Sequence, residues 1–356
     1  MDVETRMQLA LKMPTQEIVK EDELRELFET KAHPTHYLGL EISGLLHLGS
    51  LFFNGLKFND LIKAGVKCHV YLADWHSVIN NKLGGDWEKI QKASEYYEEA
   101  FKFFCPGINI VKGSDLYRNN DEYWKNVVDF SRHVTLSRAT RCLAIMGRSE
   151  NDALSVSQYL YPSMQAVDIK ALGADIAHAG MDQRKVHMLA REIYPKMGWK
   201  VPISLHHYLL SGLLEPEKTQ GQGKACKVTA SKMSKSKPGT AIFIHDSSEE
   251  IKKKLNKAFC PAKVIEANPV LEVAKHLILR GEKSILKVER PDKFGGNVDY
   301  CYYSDLEKDF AEGKLHPTDL KNSVAVALDV LIGPVRSHFE KKKELLKVYE
   351  QVEVTR

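Results

Sequence analysis

Two short stretches carry side chains whose types and spacing suit phosphate chemistry. The first is Lys232-Met233-Ser234-Lys235-Ser236, two cationic ends beside two serines, followed at once by Pro238-Gly239. It has the period of neither helix nor strand, which makes it a loop. Nucleotidyl transfer needs positive charge aimed at oxygens whose charge grows in the transition state, and lysines on a loop that closes over a nucleotide supply it. The second is His47-Leu48-Gly49-Ser50, where the apolar run "HYLGLEIS" ends, Gly44 permits a turn and a helix starts near His47. A helix N-terminus offers unpaired N–H groups and partial positive charge to phosphate. Glycine there lets a nucleotide lie against backbone, and an imidazole can donate to phosphate oxygens. Neither a Walker A loop nor a GxGxxG fingerprint accompanies it. Taken singly, the competing readings are a solvated loop between domains and a surface histidine at a helix cap.

A third group suits recognition of a small polar ligand. Tyr161, Gln165 and Asp168 in "YLYPSMQAVDIKALG" fall at i, i+4 and i+7, on one helical face. An outward polar stripe would have the same spacing, but Met164, Val167 and Leu172 form no clean opposite stripe. Gly180-Met181-Asp182-Gln183-Arg184-Lys185 adds a polar cluster where a strand meets a helix, the end of a parallel sheet at which ligands bind.

The elements that must position these groups alternate. "HYLGLEIS", "KCHVYLAD" (68–74), "INIVKGSD" (108–115) and "ADIAHAG" (174–180) are apolar strand-length runs, separated by helical patterns that include "DWEKIQKASEYYEEAFKFF". That alternation predicts an α/β fold with a parallel sheet between helices. Residues 16–31 place Leu24, Leu27 and Phe28 on one face and predict a helix, so 1–30 is a helical N-terminal extension. Residues 31–245 form the α/β domain, with an inserted helical region at about 122–172. Ser247-Ser248-Glu249-Glu250 is a capping-box signature opening a helical domain over 246–356. The Lys341-Lys342-Lys343 run is a solvated helix face.

Composition sets the outer bounds. The 356 residues are 43% hydrophobic and 28% charged with a net charge of +4, which is globular composition with only a mild cationic bias. Six scattered cysteines without CxxC spacing argue against a zinc site or a disulfide framework and for a reducing compartment. The opening "MDVETRMQLALKM" is not a signal peptide, and no stretch reaches membrane-spanning length.

Taken together, the His47-Leu48-Gly49 and Lys232–Ser236 stretches resemble the two signature motifs of class I aminoacyl-tRNA synthetases, the second without a substitution. Ser50 stands where the first motif usually ends in a second histidine. With "YLGLE", the Tyr161–Asp168 face and "HPTDLKNSV", the chain is similar over nearly its whole length to the tyrosyl-tRNA synthetases of the archaeal and eukaryotic type. The resemblance implies a Rossmann-type catalytic domain followed by an all-α anticodon-binding domain. It implies ATP with Mg2+, L-tyrosine and tRNA(Tyr) as substrates and partners, a cytoplasmic location, and a homodimer to which the helices of 122–150 contribute.

By the same resemblance Tyr37 and Asp168 would bind the phenolic hydroxyl, and Tyr161, Gln165 and Gln183 the α-amino group and backbone. Gly44, His47, Gly49, Ser50, Lys232 and Lys235 would meet ATP, with His47, Lys232 and Lys235 stabilising the phosphates in the transition state. Arg138, Arg141, Arg184 and Lys185 would meet the acceptor end of the tRNA. Phe294 would stack on an anticodon base, with His316 and Asp319 reading base edges. Asp74 and His76 are further candidates for the pocket wall, with a structural pair as the competing reading. The alternatives are a tryptophan enzyme of the same fold, a nucleotidyltransferase acting without RNA, and a non-catalytic RNA-binding relative.

Overall fold

The computed structural model describes residues 1–148, 152–215, 233, 238–281 and 283–350. They form two compact units. The first comprises Met1–Gly44, Gly55–Tyr208 and the residues from Leu345; the second comprises Leu45–Asn54 and Leu209–Glu344. The sequence put a boundary near residue 245, whereas the units divide at Tyr208, and the histidine stretch belongs with the later residues.

The first unit runs α1 (Val3–Leu11), β1 (Thr15–Val19), α2 (Glu21–Thr30), β2 (Thr35–Leu40), α3 (Asn54–Lys63), β3 (Lys67–Leu72), α4 (Asp74–Ile79), α5 (Trp87–Phe104), β4 (Asn109–Lys112) and α6 (Gly113–Tyr117). It continues through α7 (Asp121–Arg132), α8 (Leu136–Cys142), α9 (Val156–Ala171), β5 (Ile176–Gly180), α10 (Arg184–Ile193) and β6 (Ile203–His207). The sheet order is β1-β6-β5-β2-β3-β4, parallel throughout except β1, which runs antiparallel to β6. From β2 the chain moves outward through β3 to β4, and from β5 it moves the other way to β6. The direction of winding therefore reverses between β2 and β5, and ligands of open α/β sheets bind at the carboxyl ends of such a pair. β5 and β6 are buried at every position, as strands covered on both faces should be.

The helix predicted over 16–31 begins only at Glu21. Residues 15–19 instead pair with β6, and Lys20 takes a left-handed conformation, φ 59°, to break from strand into helix. Tertiary pairing overrides local helical pattern here: Ile18 is buried in the sheet, while the Glu17 carboxylate takes Nε of Arg184 at 2.8 Å and Nδ1 of His206 at 2.7 Å.

Histidines fill part of the core. His36 on β2, His178 on β5 and His207 on β6 link ring to ring across three adjacent strands, at 3.0 and 2.9 Å. Burial holds His36 down to about 3 and His207 down to about 4, and pushes His178 well below its ordinary value, so all three are neutral. A neutral ring can donate through one nitrogen and accept through the other, as the central His178 does, while Nδ1 of His36 has no partner among the described residues.

The second unit starts with a π-helical turn (Leu48–Phe53) and continues with α11 (Ser248–Lys257), α12 (Pro269–Val273), β7 (Leu286–Val288), β8 (Val298–Tyr300), α13 (Tyr303–Glu312) and α14 (Pro317–Glu340). The Ser247 hydroxyl and Glu250 carboxylate close the capping box as predicted. Among the described residues the helices are joined by the antiparallel ribbon of β7 and β8. Among the described residues no helix is long and apolar enough to cross a membrane.

Candidate active site

α9 is buried on almost every side from Tyr161 to Ile169, so the i, i+4, i+7 face is not a surface stripe. Asp168 is fully buried, and its Oδ1 accepts hydrogen bonds from the hydroxyls of Tyr117 and Tyr123, each at 2.8 Å. Its Oδ2 has no hydrogen-bond partner among the described residues; Nε2 of His76 lies 3.5 Å away. Burial pushes the carboxyl up to about 7, opposed by hydroxyl donation from Tyr117 and Tyr123 and by the nearby Tyr71 hydroxyl, and reinforced by the charge of Asp74. Burial also pushes His76 down to about 3, so its ring is neutral and forms no ion pair with Asp168. Tyr37, on β2, is buried, and burial together with the Asp168 charge raises its hydroxyl far above the usual range; it stays a neutral donor.

At the N-terminal end of the same face Tyr161 donates its hydroxyl to Glu41 Oε1 at 2.9 Å, leaving the phenolic oxygen as an acceptor. Asn80 donates to the same carboxylate oxygen at 2.8 Å and Lys82 lies 3.5 Å from the other. Gln165 directs Nε2 to Gln183 Oε1 at 3.3 Å, and its buried Oε1 has no partner among the described residues. Gln183 is anchored in turn by donating to the Ile145 carbonyl at 2.8 Å. One end of this cluster thus presents acceptors suited to an ammonium. The other presents a buried carboxylate oxygen suited to a hydroxyl, and a buried acceptor left unpaired is costly. The predicted Tyr37, Tyr161, Gln165, Asp168 and Gln183 all converge here.

Asp74 belongs to the framework: its carboxylate takes the backbone N–H groups of Trp75 and Ser114 and the Gln91 amide. His76 packs into the same cluster, its ring edge-on to Tyr161 with centroids 4.5 Å apart. Sequence reasoning missed Glu41, Tyr71, Tyr117 and Tyr123, which no common spacing joins. Only Glu41 had a local signal, four residues after Tyr37. A separate opening of about 740 Å3 is lined by Trp75, Trp87, Arg148 and Gln158, and by neither Tyr37 nor Asp168.

In the second unit His47 caps the π-helical turn. Its Nδ1 accepts from the Gly49 N–H at 3.1 Å, so the neutral ring carries its proton on Nε2, the donor a phosphate oxygen requires. Ser50, in place of a second histidine, completes the cap: its hydroxyl oxygen accepts from the His47 N–H at 2.8 Å. A Cβ on Gly49 would come within 3.1 Å of the His47 ring, so glycine there sets the ring position. Gly44 lies in the first unit, where its carbonyl accepts from the Tyr97 hydroxyl at 2.9 Å.

The Leu48 N–H donates to Ile242 O at 3.0 Å and the Ile244 N–H to Leu46 O at 3.1 Å, which pairs the histidine stretch with the segment following the Lys-Ser loop. Buried Met233 donates its N–H to Leu210 O at 2.7 Å. Lys232 and Lys235 lie outside the described residues.

Of the basic candidates, Arg138, Arg141 and Lys185 come together where α8 meets α10: Lys185 donates to the Arg141 carbonyl at 3.1 Å, and Arg138 lies 3.3 Å from Glu192 at the far end of α10. Arg184 is instead forked onto both oxygens of Glu17. Phe294 is 61% exposed at the turn of the β7–β8 ribbon, with the Lys293 ammonium 5.0 Å over its ring. His316 is exposed and is itself the cap of α14, accepting from the Thr318 N–H at 3.2 Å. Asp319 sits half-buried in the first turn. Arg290 joins the two segments, donating to the Gly296 carbonyl at 2.8 Å and to the Lys314 carbonyl at 2.7 Å.

Residues 29–332 match a family model described as tRNA synthetases class I (W and Y). Over the full length of both chains the protein is 48% identical to a tyrosine–tRNA ligase of Thermococcus kodakarensis. It matches the crystal structure of a tyrosyl-tRNA synthetase from Pyrococcus horikoshii, complexed with L-tyrosine, at 46% identity and a TM-score of 0.92, covering 99% of this chain and 100% of that one. A tryptophanyl-tRNA synthetase from Plasmodium falciparum is 18% identical with a TM-score of 0.67, covering 98% of this chain and 89% of that one, a likeness of fold alone.

Proposed function

The chain belongs to the tRNA synthetases class I (W and Y), and we propose that it activates L-tyrosine with ATP and transfers it to the 3′ end of tRNA(Tyr). The observation that carries the amino-acid assignment is Asp168, a buried carboxylate with one oxygen held by two tyrosines and the other unpartnered among the described residues. A phenolic hydroxyl donates to that oxygen. Phenylalanine leaves it buried and unpaired, which is how a hydrogen-bonding pocket rejects an analogue lacking the hydroxyl. The general case of this logic is itself a tyrosine-activating enzyme, in which phenylalanine is rejected by about 10⁵. An indole N–H could also donate to Asp168, but Tyr37 as a neutral donor complements a phenolic oxygen, which accepts, and an indole nitrogen does not.

In the first step the tyrosine carboxylate attacks the α-phosphorus of ATP, which arrives as its Mg2+ complex, and pyrophosphate leaves. In the second, a terminal ribose hydroxyl of the tRNA attacks the carbonyl carbon of the tyrosyl-adenylate and AMP leaves. Tyr37 and Asp168 hold the phenol; Tyr161, Gln165 and Gln183 hold the ammonium and fix the carboxylate for attack. Gly44, Gly49 and Ser50 are the further positions assigned to ATP. His47, Lys232 and Lys235 stabilise charge as it builds on the phosphates, so catalysis is positioning and electrostatics without a covalent nucleophile.

Arg138, Arg141, Arg184 and Lys185 receive the acceptor end of the tRNA, Arg184 by exchanging Glu17 for phosphate. Phe294, His316 and Asp319 receive the anticodon. The enzyme works in the cytoplasm as a homodimer, with α7 and α8, where Val128 and Leu136 are exposed, as the contact face. The test of the phosphate role is Lys235→Ala: the rate of adenylate formation falls by roughly 10²-fold or more while tyrosine affinity holds. A large loss of tyrosine binding would contradict it.

A further inference from the structure

Asp168 sits among groups that decide which of its oxygens meets a ligand and in what ionisation state. From α6 and α7, Tyr117 and Tyr123 both give their hydroxyl protons to Oδ1, at 2.8 Å each, and their rings stack with centroids 4.3 Å apart. The Tyr71 hydroxyl from β3 is hydrogen-bonded to that of Tyr117. A hydroxyl has one proton, and Tyr117 commits its own to the carboxylate, so Tyr71 is the donor in that contact. The result is a directional chain, Tyr71 to Tyr117 to Asp168, with Tyr123 joining at the same oxygen.

The geometry points to Tyr117 and Tyr123 as positioning residues for amino-acid recognition: by occupying Oδ1 together they leave Oδ2 as the acceptor presented to the substrate hydroxyl. This rests on the reading of Asp168 as the phenol-binding residue and adds the device that orients it. Neither tyrosine has to touch the substrate.

The other titratable groups around the carboxylate do not substitute for this pair. His76, from α4, is neutral and without a partner among the described residues on either ring nitrogen. Asp74, at the start of α4, opposes ionisation by its charge. Tyr37 from β2, Tyr161 from α9 itself and Tyr194 after α10 feel the carboxylate electrostatically, but Tyr161 and Tyr194 spend their hydroxyls on Glu41 and on the Ala166 carbonyl. Donation to the charged form of Asp168 therefore falls to the Tyr117–Tyr123 pair and to Tyr71 behind it. Their donation favours the carboxylate against the burial that disfavours it.

The test measures the tyrosine KM in ATP–pyrophosphate exchange at several values between about pH 5.5 and 8.5, the substrate amine titrating alike for every variant. It uses the wild-type chain, Tyr117→Phe, Tyr123→Phe and Asp168→Asn. In the wild type, KM falls as pH rises through about 7, where the carboxyl ionises. Each phenylalanine variant moves that fall to higher pH, raises KM at pH 7 by roughly tenfold, and narrows the preference for tyrosine over phenylalanine, with the ATP KM unchanged. A structural role alone would lower thermal stability without displacing the pH profile. Each single variant keeps one donor, so one reports even if the other fails to fold. Wild-type profiles in both variants, with Asp168→Asn inactive, overturn the positioning role and leave the pocket standing. Wild-type tyrosine KM in Asp168→Asn overturns the pocket assignment itself.

Discussion

Asp168 sets function against stability within a single side chain. Its carboxyl titrates near 7 in the folded protein against an ordinary 3.8, so the folded state holds this proton more tightly than the unfolded chain does. The contribution of that proton to stability is complete below about 3.8 and is lost as pH rises to about 7. Near neutral pH the protein therefore begins to carry a buried charge that the proposed tyrosine site needs and folding does not. Asp168→Asn removes the charge while its carbonyl oxygen can still accept from Tyr117 and Tyr123. The melting temperature of the variant relative to wild type should become more positive between pH 4 and pH 8 as tyrosine activation is lost. Thermal unfolding at the two pH values checks this; a difference independent of pH would mean that Asp168 is not titrating in the folded state.

This residue also shows how far the sequence could be read. Tyr161, Gln165 and Asp168 were legible because one helix supplies all three at helical spacing, and Tyr37 because it lies in a short motif. Tyr117 and Tyr123 were not, since they reach Asp168 from two further helices and only packing brings them together. Ser50 was legible as an exception but not in its role, which depends on the closed cap with His47.

At the scale of elements, alternating strands and helices predicted the parallel sheet, and the observed order adds what alternation cannot contain, the reversal between β2 and β5 that marks the ligand-binding edge. β1 was misread because its pairing partner, β6, lies at the far end of the same unit, out of reach of any local period. The histidines of β2, β5 and β6 escaped notice for a related reason: each is unremarkable in its own strand, and the chain of rings exists only across strands.

In the second unit, the ribbon turn carrying Phe294 and the start of α14 carrying His316 and Asp319 are separate in sequence and are tied by Arg290. Gly295, at φ 101°, is part of that turn, and a Cβ there would press within 2.9 Å of the Arg290 guanidinium. Arg290→Ala should leave tyrosine-dependent pyrophosphate exchange intact and raise the KM for tRNA by roughly tenfold, through lost orientation of an unpaired-base surface. Aminoacylation and exchange measured side by side check it; equal losses in both would mean that Arg290 supports the fold and not the RNA surface.

In the whole molecule as proposed, a buried carboxylate selects tyrosine and a histidine and two lysines drive its adenylation. The +4 net charge is too small to direct RNA binding as a global field, so the proposed reading has the tRNA met by local groups such as Arg138, Arg141 and Lys185. Activation, by contrast, needs no RNA and can be isolated. The most direct measurement is amino-acid-dependent ATP–pyrophosphate exchange in the absence of tRNA, with tyrosine, phenylalanine and tryptophan compared at equal concentration. Exchange with tyrosine alone is the predicted result. Exchange with tryptophan in its place would contradict the reading of Tyr37 and Asp168, and no exchange with any of the three would contradict the activation chemistry assigned to His47, Lys232 and Lys235.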